Sequence, residues 1–360
     1  MVYKSSYVFW AKIFSALIFP FFKILNLFRK KYDLRFIKVK TILVTEYHRI
    51  GDVIIIAPIL KSIRSRFPDA EIILICNKSA KKLAEKFNLA DKVFGIAAPW
   101  TNWRWSVFEW YKIKSFANTL NLLNIDLAID FKGDLRNLWF LWNTHPKISY
   151  GYNTTGGDYF ITNSFSMDQN DHQYIRALKL IKQFGCKLID NKKIRYRSAK
   201  NGCIVLHPGS SDSARSWPDY YWKELAKLLT KHFKVSLVVT KGSHNLFQNL
   251  KTEGLELERF EGSLTSFCDY IRNQKCLIAL DSMAGHLGSF LGIPVVSLFG
   301  SQNPELTKPY NKYGKIIKPQ KPCRHKRGHW RLCKLCLESI SPEKVFGEVY
   351  QHILYIESNL

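Results

Sequence analysis

The sequence predicts an α/β protein composed of two Rossmann-like units, and three observations support this fold class. The chain has 360 residues, which is long enough for two ordinary domains. Short apolar runs alternate with segments of helical periodicity, the order that produces parallel sheets covered by helices. The alternation breaks off near the middle of the chain and begins again after a predicted junction at residues 190–201.

The first series opens with an apolar strand at residues 41–45 (TILVT), a turn at 46–51 and a helix at 52–66. The strands that follow are continuously apolar, as expected for a parallel sheet that is buried on both faces. Predicted strands occupy residues 71–76, 92–96 and 127–131, and predicted helices occupy residues 79–87 and the segment after 105. From there to residue 200 the pattern is irregular.

The second series places strands at residues 203–207, 235–240, 276–280 and 294–299, with helices at 218–232, near 264 and at 283–291. Parallel sheets bind ligands at the carboxyl ends of their strands, so we expect a ligand cleft between the two units. The predicted domains are residues 39–195 and 196–345. A terminal helix at 346–360 is expected to pack back across the junction.

The first 38 residues are aromatic and basic and differ from the rest of the chain. Their longest uncharged run, residues 13–22, is about half of the roughly 20 residues that cross a bilayer. On a helical wheel Lys12, Lys23 and Lys30 fall on one side, which is typical of a helix lying in a membrane interface. A signal peptide and a helix that packs its aromatic face on the protein's own core remain open alternatives.

The net charge of +25 indicates anionic partners, namely nucleic acid, an anionic membrane surface or phosphorylated substrates. No motif of a nucleic-acid-binding domain accompanies the charge, so nucleic acid is not a predicted partner. Eight cysteines in a chain of this length do not form a disulfide framework and fit a reducing cytoplasm. Cys333 and Cys336 have CxxC spacing, and Cys323, His325 and His329 lie nearby. A zinc site at these residues is an open alternative, although one CxxC pair without a second pair is only weak support for it.

The turn after the first strand contains the sequence Arg49-Ile50-Gly51-Asp52. Gly51 permits a tight turn, and Asp52 stands where a carboxylate could take a proton from an acceptor hydroxyl. The alternative is that Asp52 only caps the helix that begins there.

Three segments of the second unit have chemistry suited to phosphate. Ser210 and Ser211 follow a strand and precede Arg215, so hydroxyls, amides and a guanidinium are available for a diphosphate. Residues 280–286 lead from a strand into a helix whose first amides could bind a phosphate, or Asp281 and Ser282 could act as caps alone. Residues 299–304 form another turn after a strand, with a weaker signal.

Aromatic and basic residues alternate between residues 99 and 114, where Trp103 and Arg104 are candidates for contact with a sugar and its charged groups. Arg136 could join them. The alternative is a partly packed aromatic helix.

Together these segments resemble, in order and spacing, the ADP-heptose:lipopolysaccharide heptosyltransferases of glycosyltransferase family 9. The resemblance runs over about residues 40–349. The matching motifs are Gly51-Asp52-Val53 after a strand, Asp130-Phe131-Lys132-Gly133, Pro208-Gly209-Ser210 with Arg215-Ser216-Trp217-Pro218, Asp281-Ser282 with His286-Leu287, and Leu298-Phe299-Gly300.

The resemblance implies a GT-B fold, in which two Rossmann-like domains face each other across a cleft. It implies an inverting transferase that needs no metal and no cofactor and moves heptose from ADP-heptose, a nucleotide-sugar donor, to an anionic lipid-linked acceptor, the lipopolysaccharide core. The enzyme would be cytoplasmic, in peripheral contact with the anionic inner membrane. Asp52 would be the general base. With the residue chemistry above, the predicted donor-binding residues are Ser210, Ser211, Arg215, Asp281, Ser282, Met283, Ala284, Gly285 and His286. The predicted acceptor-binding residues are Arg49, Gly51, Trp103, Arg104, Lys132 and Arg136.

Two departures from the family's pattern concern the donor. Met283 stands where relatives commonly have glycine, and residues 241–245 lack the glutamate that helps hold the nucleoside. Transfer of another nucleotide-activated sugar in O-antigen or capsule synthesis, and a nonenzymatic nucleotide-sugar-binding protein, are therefore the alternative functions.

Overall fold

The computed structural model describes residues 5–101, 106–188, 199, 201–210, 212–311, 313–325 and 332–358. The chain divides into two compact units, Met1–Asp190 and Asn191–Leu360. This division falls at the start of the predicted junction. The finer predicted boundary at residues 195 and 196 lies outside the described residues and stays a prediction.

The first unit is built on a six-stranded parallel sheet in the order β3-β2-β1-β4-β5-β6. This is the strand order of the Rossmann fold, and the chain reverses its direction of travel across the sheet between β1 and β4. Ligands of such sheets bind at this switch point. The strands are β1 (Thr41–Glu46), β2 (Glu71–Asn77), β3 (Lys92–Ile96), β4 (Leu127–Asp130), β5 (Ile148–Tyr152) and β6 (Asn163–Phe165).

Within the described residues of this unit, six α-helices accompany the sheet. The second of them follows β1 and is largely buried over its first three turns. Its run of isoleucine and valine packs on the sheet because nearly every position in its first three turns is apolar. The helices are α1 (Ser5–Leu27), α2 (Ile50–Arg66), α3 (Lys78–Lys86), α4 (Val107–Asn121), α5 (Leu135–Asn143) and α6 (Gln173–Lys182).

The second unit repeats the same topology, with a parallel sheet in the order β9-β8-β7-β10-β11-β12. Its switch point therefore lies between β7 and β10. The strands are β7 (Ile204–His207), β8 (Val235–Val238), β9 (Glu258–Phe260), β10 (Cys276–Leu280), β11 (Val295–Leu298) and β12 (Gly314–Ile317). The helices are α7 (Asp219–Thr230), α8 (His244–Thr252), α9 (Leu264–Ile271), α10 (Met283–Phe290), α11 (Pro304–Thr307), α12 (Lys334–Glu338) and α13 (Pro342–Ser358).

A pair of tryptophans lies in the core of the second unit and explains part of the Arg-Xaa-Trp-Pro motif. Trp217 packs edge-on against Trp222 with ring centroids 5.1 Å apart. Its indole nitrogen donates a hydrogen bond of 3.0 Å to the carbonyl oxygen of Ile340. Helix α13 packs on α7 and β12 of its own unit. Its predicted packing across the junction stays a prediction.

The predicted two-unit α/β architecture is confirmed, but several elements were not predicted. The stretch described as irregular contains α5, β5, β6 and α6, and β9 and β12 were also missed. Strand β5 (ISYGY) is buried although it has a single aliphatic residue, so apolar periodicity does not reveal it. Pro218 is the N-cap of α7 rather than its first residue.

Helix α1 docks on the first unit along one narrow face. The buried Ser15 hydroxyl accepts a hydrogen bond of 2.9 Å from the Gly157 amide. The Phe22 ring packs against Trp142 and Phe160, with centroids 5.2 and 4.7 Å apart. Packing on the protein's own core, which the sequence left as an alternative, therefore accounts for this face.

The opposite face of α1 is apolar and exposed. Trp10 is 66% exposed and Leu17 is 74% exposed, and Phe9, Phe14 and Phe21 accompany them. By length and composition the whole helix is long enough to cross a bilayer. The sequence prediction that the segment is too short counted only the uncharged run between Lys12 and Lys23, and lysines near the ends of a membrane helix can extend to the interface.

Candidate functional site

The predicted site residues of the first unit gather at the switch point of its sheet. Asp52 lies in the first turn of α2, directly after β1, and Lys132 lies in the loop after β4. The carboxyl ends of β1 and β4 are adjacent because these strands pair in parallel. The two loops therefore meet where a Rossmann sheet holds its ligand.

Asp52 uses its two carboxylate oxygens for different partners. Its Oδ2 accepts a hydrogen bond of 3.0 Å from the Arg49 amide, which is one half of a capping box. Its Oδ1 accepts hydrogen bonds from Lys132 Nζ at 2.9 Å and from Gln173 Nε2 at 2.6 Å. Asp52 is thus the third residue of α2 rather than its N-cap, which is Arg49.

The charge state of Asp52 is fixed by its neighbours. Burial alone would raise the pKa of this carboxyl, but the positive charge of Lys132, with a smaller contribution from His48, lowers it more. Hydrogen bonds from Lys132 and Gln173 add to this effect and hold the pKa of Asp52 well below its usual range. The side chain is 18% exposed, so an ionised carboxylate remains within reach of a ligand.

The Asp130-Phe131-Lys132-Gly133 loop positions Lys132. The buried Asp130 carboxylate accepts hydrogen bonds from the amides of Lys132 and Gly133, at 3.0 and 2.7 Å. Gly133 has φ +65°, and a Cβ there would lie 2.6 Å from the carbonyl oxygen of Tyr152. Glycine is therefore required at this turn. Burial raises the pKa of Asp130 to about 6.

Three residues around Asp52 and Lys132 were not predicted as site residues, namely Glu46, His48 and Gln173. Glu46, at the end of β1, is fully buried with Oε2 3.4 Å from Lys132 Nζ and Oε1 3.3 Å from His48 Nδ1. A polar residue that ends an apolar strand is a sequence signal that could have identified Glu46. Gln173 begins α6 and reaches Asp52 across 121 residues of sequence, which no local pattern indicates. We call Asp52, Lys132, Gln173, Glu46 and His48 the Asp52 cluster.

The other predicted acceptor residues are placed differently. Arg136 donates to both oxygens of the buried Asp134, at 2.8 and 2.7 Å, and lies over the Tyr7 ring of α1. These contacts tie α1 to the first unit. Gly51 is buried and Arg49 is exposed. Trp103 and Arg104 lie outside the described residues. The acceptor roles of these four residues and of Arg136 stay predictions.

Trp100, an aromatic residue within the segment at residues 99–114, belongs to the core of the first unit. It is 4% exposed, packs against Tyr47 and Trp110, and donates a hydrogen bond of 2.7 Å from its indole nitrogen to Asn137 Oδ1. The alternative of a packed aromatic segment is therefore correct for this residue.

In the second unit Arg215 joins the two loops of the switch point. Arg215 is the last residue of a 3₁₀ turn that follows β7. Asp212 caps this turn, because its carboxylate accepts a hydrogen bond from the Ala214 amide. Arg215 Nη1 lies 3.4 Å from Asp281 Oδ2 and 3.3 Å from the Asp281 carbonyl oxygen. Asp281 follows β10, the strand beside β7. The site therefore occupies the same topological position as the Asp52 cluster does in the first sheet.

A small depression opens beside Arg215. We call it the Arg215 pocket. The turn after β11, which carried only a weak sequence signal, contributes three of its lining residues, and two leucines were not predicted at all. It is lined by Ala214, Arg215, Asp281, Leu298, Gly300, Ser301, Gln302, Leu332 and Leu337.

The first turn of α10 offers groups for an anion. Ser282 is the N-cap, yet its hydroxyl makes no capping hydrogen bond. Within the described part of the chain, Ser282 Oγ and Arg215 Nε are buried polar atoms without a hydrogen-bond partner. Buried polar groups are normally satisfied, so a ligand with several oxygen acceptors would complete this arrangement.

The remaining predicted donor residues form the body of α10 and the loop after β7. Gly285 faces β11, where a Cβ would lie 2.9 Å from Ser297 Oγ, so it permits close packing of the helix on the sheet. Ala284 and His286 are buried in the same helix, and Met283 is half-buried at its start. Ser210 Oγ donates to the Asp212 carbonyl oxygen at 3.0 Å and stabilises its own loop. Ser211 lies outside the described residues, and the donor roles of these residues stay predictions.

Comparison with known proteins agrees with this architecture. The model of glycosyltransferase family 9 (heptosyltransferase) matches residues 113–334. Lipopolysaccharide heptosyltransferase 1 of Pseudomonas aeruginosa is 21% identical over 302 residues, which cover 78% of this chain and 84% of that protein.

Solved structures show the same fold. Heptosyltransferase WaaC of E. coli with ADP superimposes with a TM-score of 0.70 at 16% identity, covering 87% of this chain and 99% of that one. ADP-heptose lipopolysaccharide heptosyltransferase II of E. coli gives a TM-score of 0.68 at 17% identity, covering 88% and 99%. The predicted GT-B fold class and the predicted family resemblance are both confirmed.

Proposed function

The chain belongs to glycosyltransferase family 9, and from this premise we propose that it transfers heptose from ADP-heptose to the core region of lipopolysaccharide. It is a glycosyltransferase by its family. The donor, the acceptor and the roles of individual residues are proposals, which rest on the Asp52 cluster in the first unit and the Arg215 pocket in the second.

The observation that carries the proposal is the pairing of Arg215 with the start of α10. The guanidinium lies beside Asp281, the residue that follows β10. Within the described residues, Arg215 Nε and Ser282 Oγ are both buried without a hydrogen-bond partner. A nucleoside diphosphate presents oxygens that would accept from both groups and from the first amides of α10. Arg215 would neutralise the charge that develops on the departing diphosphate.

The Asp52 cluster would activate the acceptor. An ionised Asp52 would take the proton of an acceptor hydroxyl while that oxygen bonds to the anomeric carbon and the bond to the diphosphate breaks. Attack from the face opposite the leaving group would invert the anomeric configuration. Lys132 would keep Asp52 ionised before the acceptor arrives, since its charge lowers the pKa of that carboxyl.

In this proposal the cationic guanidinium and the helix amides supply the charge stabilisation that a metal ion gives in other transferases. Inversion and metal-independent transfer are thus proposed together, because both depend on the Asp52 cluster and on Arg215 with the first amides of α10.

The exposed apolar face of α1 supports a peripheral location on the cytoplasmic face of the inner membrane. Large apolar side chains such as Trp10 and Leu17 would enter the lipid interface. The net charge of +25 favours a surface of anionic lipid. A lipid-linked acceptor would then be presented where the enzyme is bound.

Calorimetric titration with ADP, UDP, GDP and their sugar conjugates tests the donor assignment. We expect binding of ADP and ADP-heptose in preference to the other nucleotides, followed by heptose transfer in an acceptor assay. Preference for UDP or GDP would favour the alternative of another nucleotide-sugar. Binding without transfer to any acceptor would favour the nonenzymatic alternative.

The turn after β8 supports the alternative that the donor is another nucleotide-sugar. Ser243 Oγ accepts a hydrogen bond of 2.8 Å from the Thr240 amide and donates to the Val238 carbonyl oxygen at 3.1 Å. The turn is thereby held by its own residues, and residues 241–245 contain no glutamate of the kind that the family resemblance implies for holding the nucleoside.

A further inference from the structure

A cluster of four metal-ligating side chains lies outside the proposed chemistry. The ligand atoms of Cys323, His325, Cys333 and Cys336 all lie within 4.8 Å of one another. His325 Nδ1 is 3.5 Å from Cys333 Sγ and 3.9 Å from Cys323 Sγ. None of the three cysteines is in a disulfide.

Two of these separations are close to those of tetrahedral coordination. Zinc binds thiolate sulfur at about 2.3 Å and imidazole nitrogen at about 2.0 Å, which places neighbouring ligand atoms about 3.5–3.8 Å apart. The two measured sulfur–nitrogen distances lie close to this range. The side chains are therefore arranged as a set of ligands around one point, although they come from two separate segments of the chain.

We propose that Cys323, His325, Cys333 and Cys336 bind one zinc ion in a closed Cys3His site. Four protein ligands fill a tetrahedral ion, so the site is structural and leaves no position for a substrate. Cys333 is the N-cap of α12 and Cys336 lies in its first turn. This CxxC segment supplies two ligands from a rigid element, and the metal ties to it the loop that carries Cys323 and His325.

The location of the site gives it a role in the Arg215 pocket. Leu332 and Leu337, which line that pocket, are the direct sequence neighbours of Cys333 and Cys336. At Gly300, another lining residue, a Cβ would lie 3.5 Å from Leu337 Cβ and 3.7 Å from the Cys333 carbonyl oxygen. A metal bound by these cysteines would therefore fix one wall of the pocket.

Metal analysis of the full-length protein tests the site. The protein is purified without a polyhistidine tag and its metal content is measured by mass spectrometry. We expect about one zinc per chain. Cys323→Ala and Cys336→Ala should each lose it. Cys186→Ala removes a buried free thiol of the first unit and should retain the full zinc content.

Cobalt substitution provides a second readout that does not depend on activity. Co²⁺ in the proposed site should show the visible bands of tetrahedral coordination and the near-ultraviolet thiolate charge-transfer band, and Cys336→Ala should abolish this spectrum. If that variant fails to fold, zinc is instead removed from the wild type with a chelator and restored. Unfolding would then be separated from metal loss by circular dichroism.

Each outcome decides the proposal. Zinc well below one equivalent after growth in zinc-supplemented medium, with no other metal in its place, would overturn the site. Unchanged metal content in both cysteine variants would overturn it as well. Iron lost in the same two variants would support the site and overturn its assignment to zinc.

The positioning role rests on the proposed function and is measured separately. Removal of zinc should weaken ADP binding about tenfold or more, with recovery when zinc is restored. Unchanged ADP affinity in the zinc-free protein would overturn the positioning role and leave the metal site standing. If the wild type binds no ADP at all, the proposed donor fails, whereas the metal analysis is unaffected.

Discussion

Lys132 Nζ lies 2.9 Å from Asp52 Oδ1, although 80 residues separate the two in the sequence. The contact joins the loops that follow β1 and β4 at the switch point of the first sheet. Because Glu46 also approaches Lys132, the cation is shared by two carboxylates in a largely buried setting. Removing Lys132 would leave two largely buried carboxylates without this cation, whereas removing either carboxylate would leave one ion pair.

Replacement of Asp52 by asparagine is expected to abolish transfer and spare donor binding. Asparagine keeps the shape of the side chain but cannot accept the acceptor's proton, so kcat should fall about 10²–10⁴-fold. ADP affinity should stay within about twofold, since the Arg215 pocket belongs to the other unit. Kinetics and calorimetry on the same preparation measure both quantities. Asp69→Asn, at an exposed site, is the control.

Lys132→Met is expected to move the acidic limb of the pH–rate profile upward. Without the lysine the burial of Asp52 is no longer opposed by this charge, so its pKa rises from its depressed value. The carboxylate would then become protonated at a higher pH than in the wild type, and kcat/KM would fall at that higher pH. The dependence of kcat/KM on pH measures the shift.

A matched control for this variant is Lys147→Met. Lys147 Nζ is paired with Asp126 at 2.7 Å in the same unit but outside the Asp52 cluster. Its profile should keep the wild-type acidic limb. An identical limb in wild type and Lys132→Met would contradict the assigned link between Lys132 and the base.

Arg215→Ala is expected to weaken ADP binding by about 10–100-fold, the effect of losing one charge-assisted contact with phosphate. Arg215→Lys should recover only part of the affinity, because lysine lacks the planar fork of donors. Calorimetric titration measures both. Arg259→Ala is the control, since Arg259 is an exposed residue paired with Glu261. Wild-type affinity in Arg215→Ala would remove Arg215 from the diphosphate site.

Helix α1 is expected to bind vesicles that contain phosphatidylglycerol and to release them as salt is raised. Replacing Trp10, Leu17 and Phe21 with serine should weaken binding at least about tenfold, because each large apolar side chain gains about 1.5–3 kcal/mol on burial. Co-sedimentation measures the bound fraction. Leu122→Ser with Tyr220→Ser, which removes exposed apolar groups elsewhere, should bind as the wild type does.

Alkaline extraction of cell membranes then separates the two ways in which α1 could contact lipid. A helix in the interface should be released at high pH, and a spanning helix should resist extraction. Retention in the membrane pellet would contradict the peripheral location proposed above.

How far the sequence predicts this fold depends on how apolar each strand is. Strands β3 and β10 match their predicted ranges residue for residue, and β1 is longer than predicted by one residue. Strands β6 (NSF) and β9 (ERF) are short, polar and only partly buried, so hydrophobic periodicity does not distinguish them from loops.

Within the site, sequence motifs locate residues but do not give their partners. Asp52 and Arg215 lie in the segments that follow β1 and β7, as the motifs predict, because the loops at the carboxyl ends of parallel strands share one edge of the sheet. The contact of Gln173 with Asp52 and the contribution of Leu332 and Leu337 to the Arg215 pocket depend on tertiary packing. The ion pair of Arg136 with Asp134 likewise has no sequence signal, and the predicted acceptor role of Arg136 stays a prediction.

The repeated strand order has a consequence for how this enzyme could diversify. Each switch point is assembled from loops of a single unit, so substitutions that reshape one leave the contacts of the other intact. With the proposed roles of the two sites, changes around Asp52 would select a new acceptor while the Arg215 pocket kept the same nucleotide. The reverse would hold for changes around Arg215. Exchange of whole units between relatives should for the same reason yield catalysts that combine the donor preference of one parent with the acceptor preference of the other.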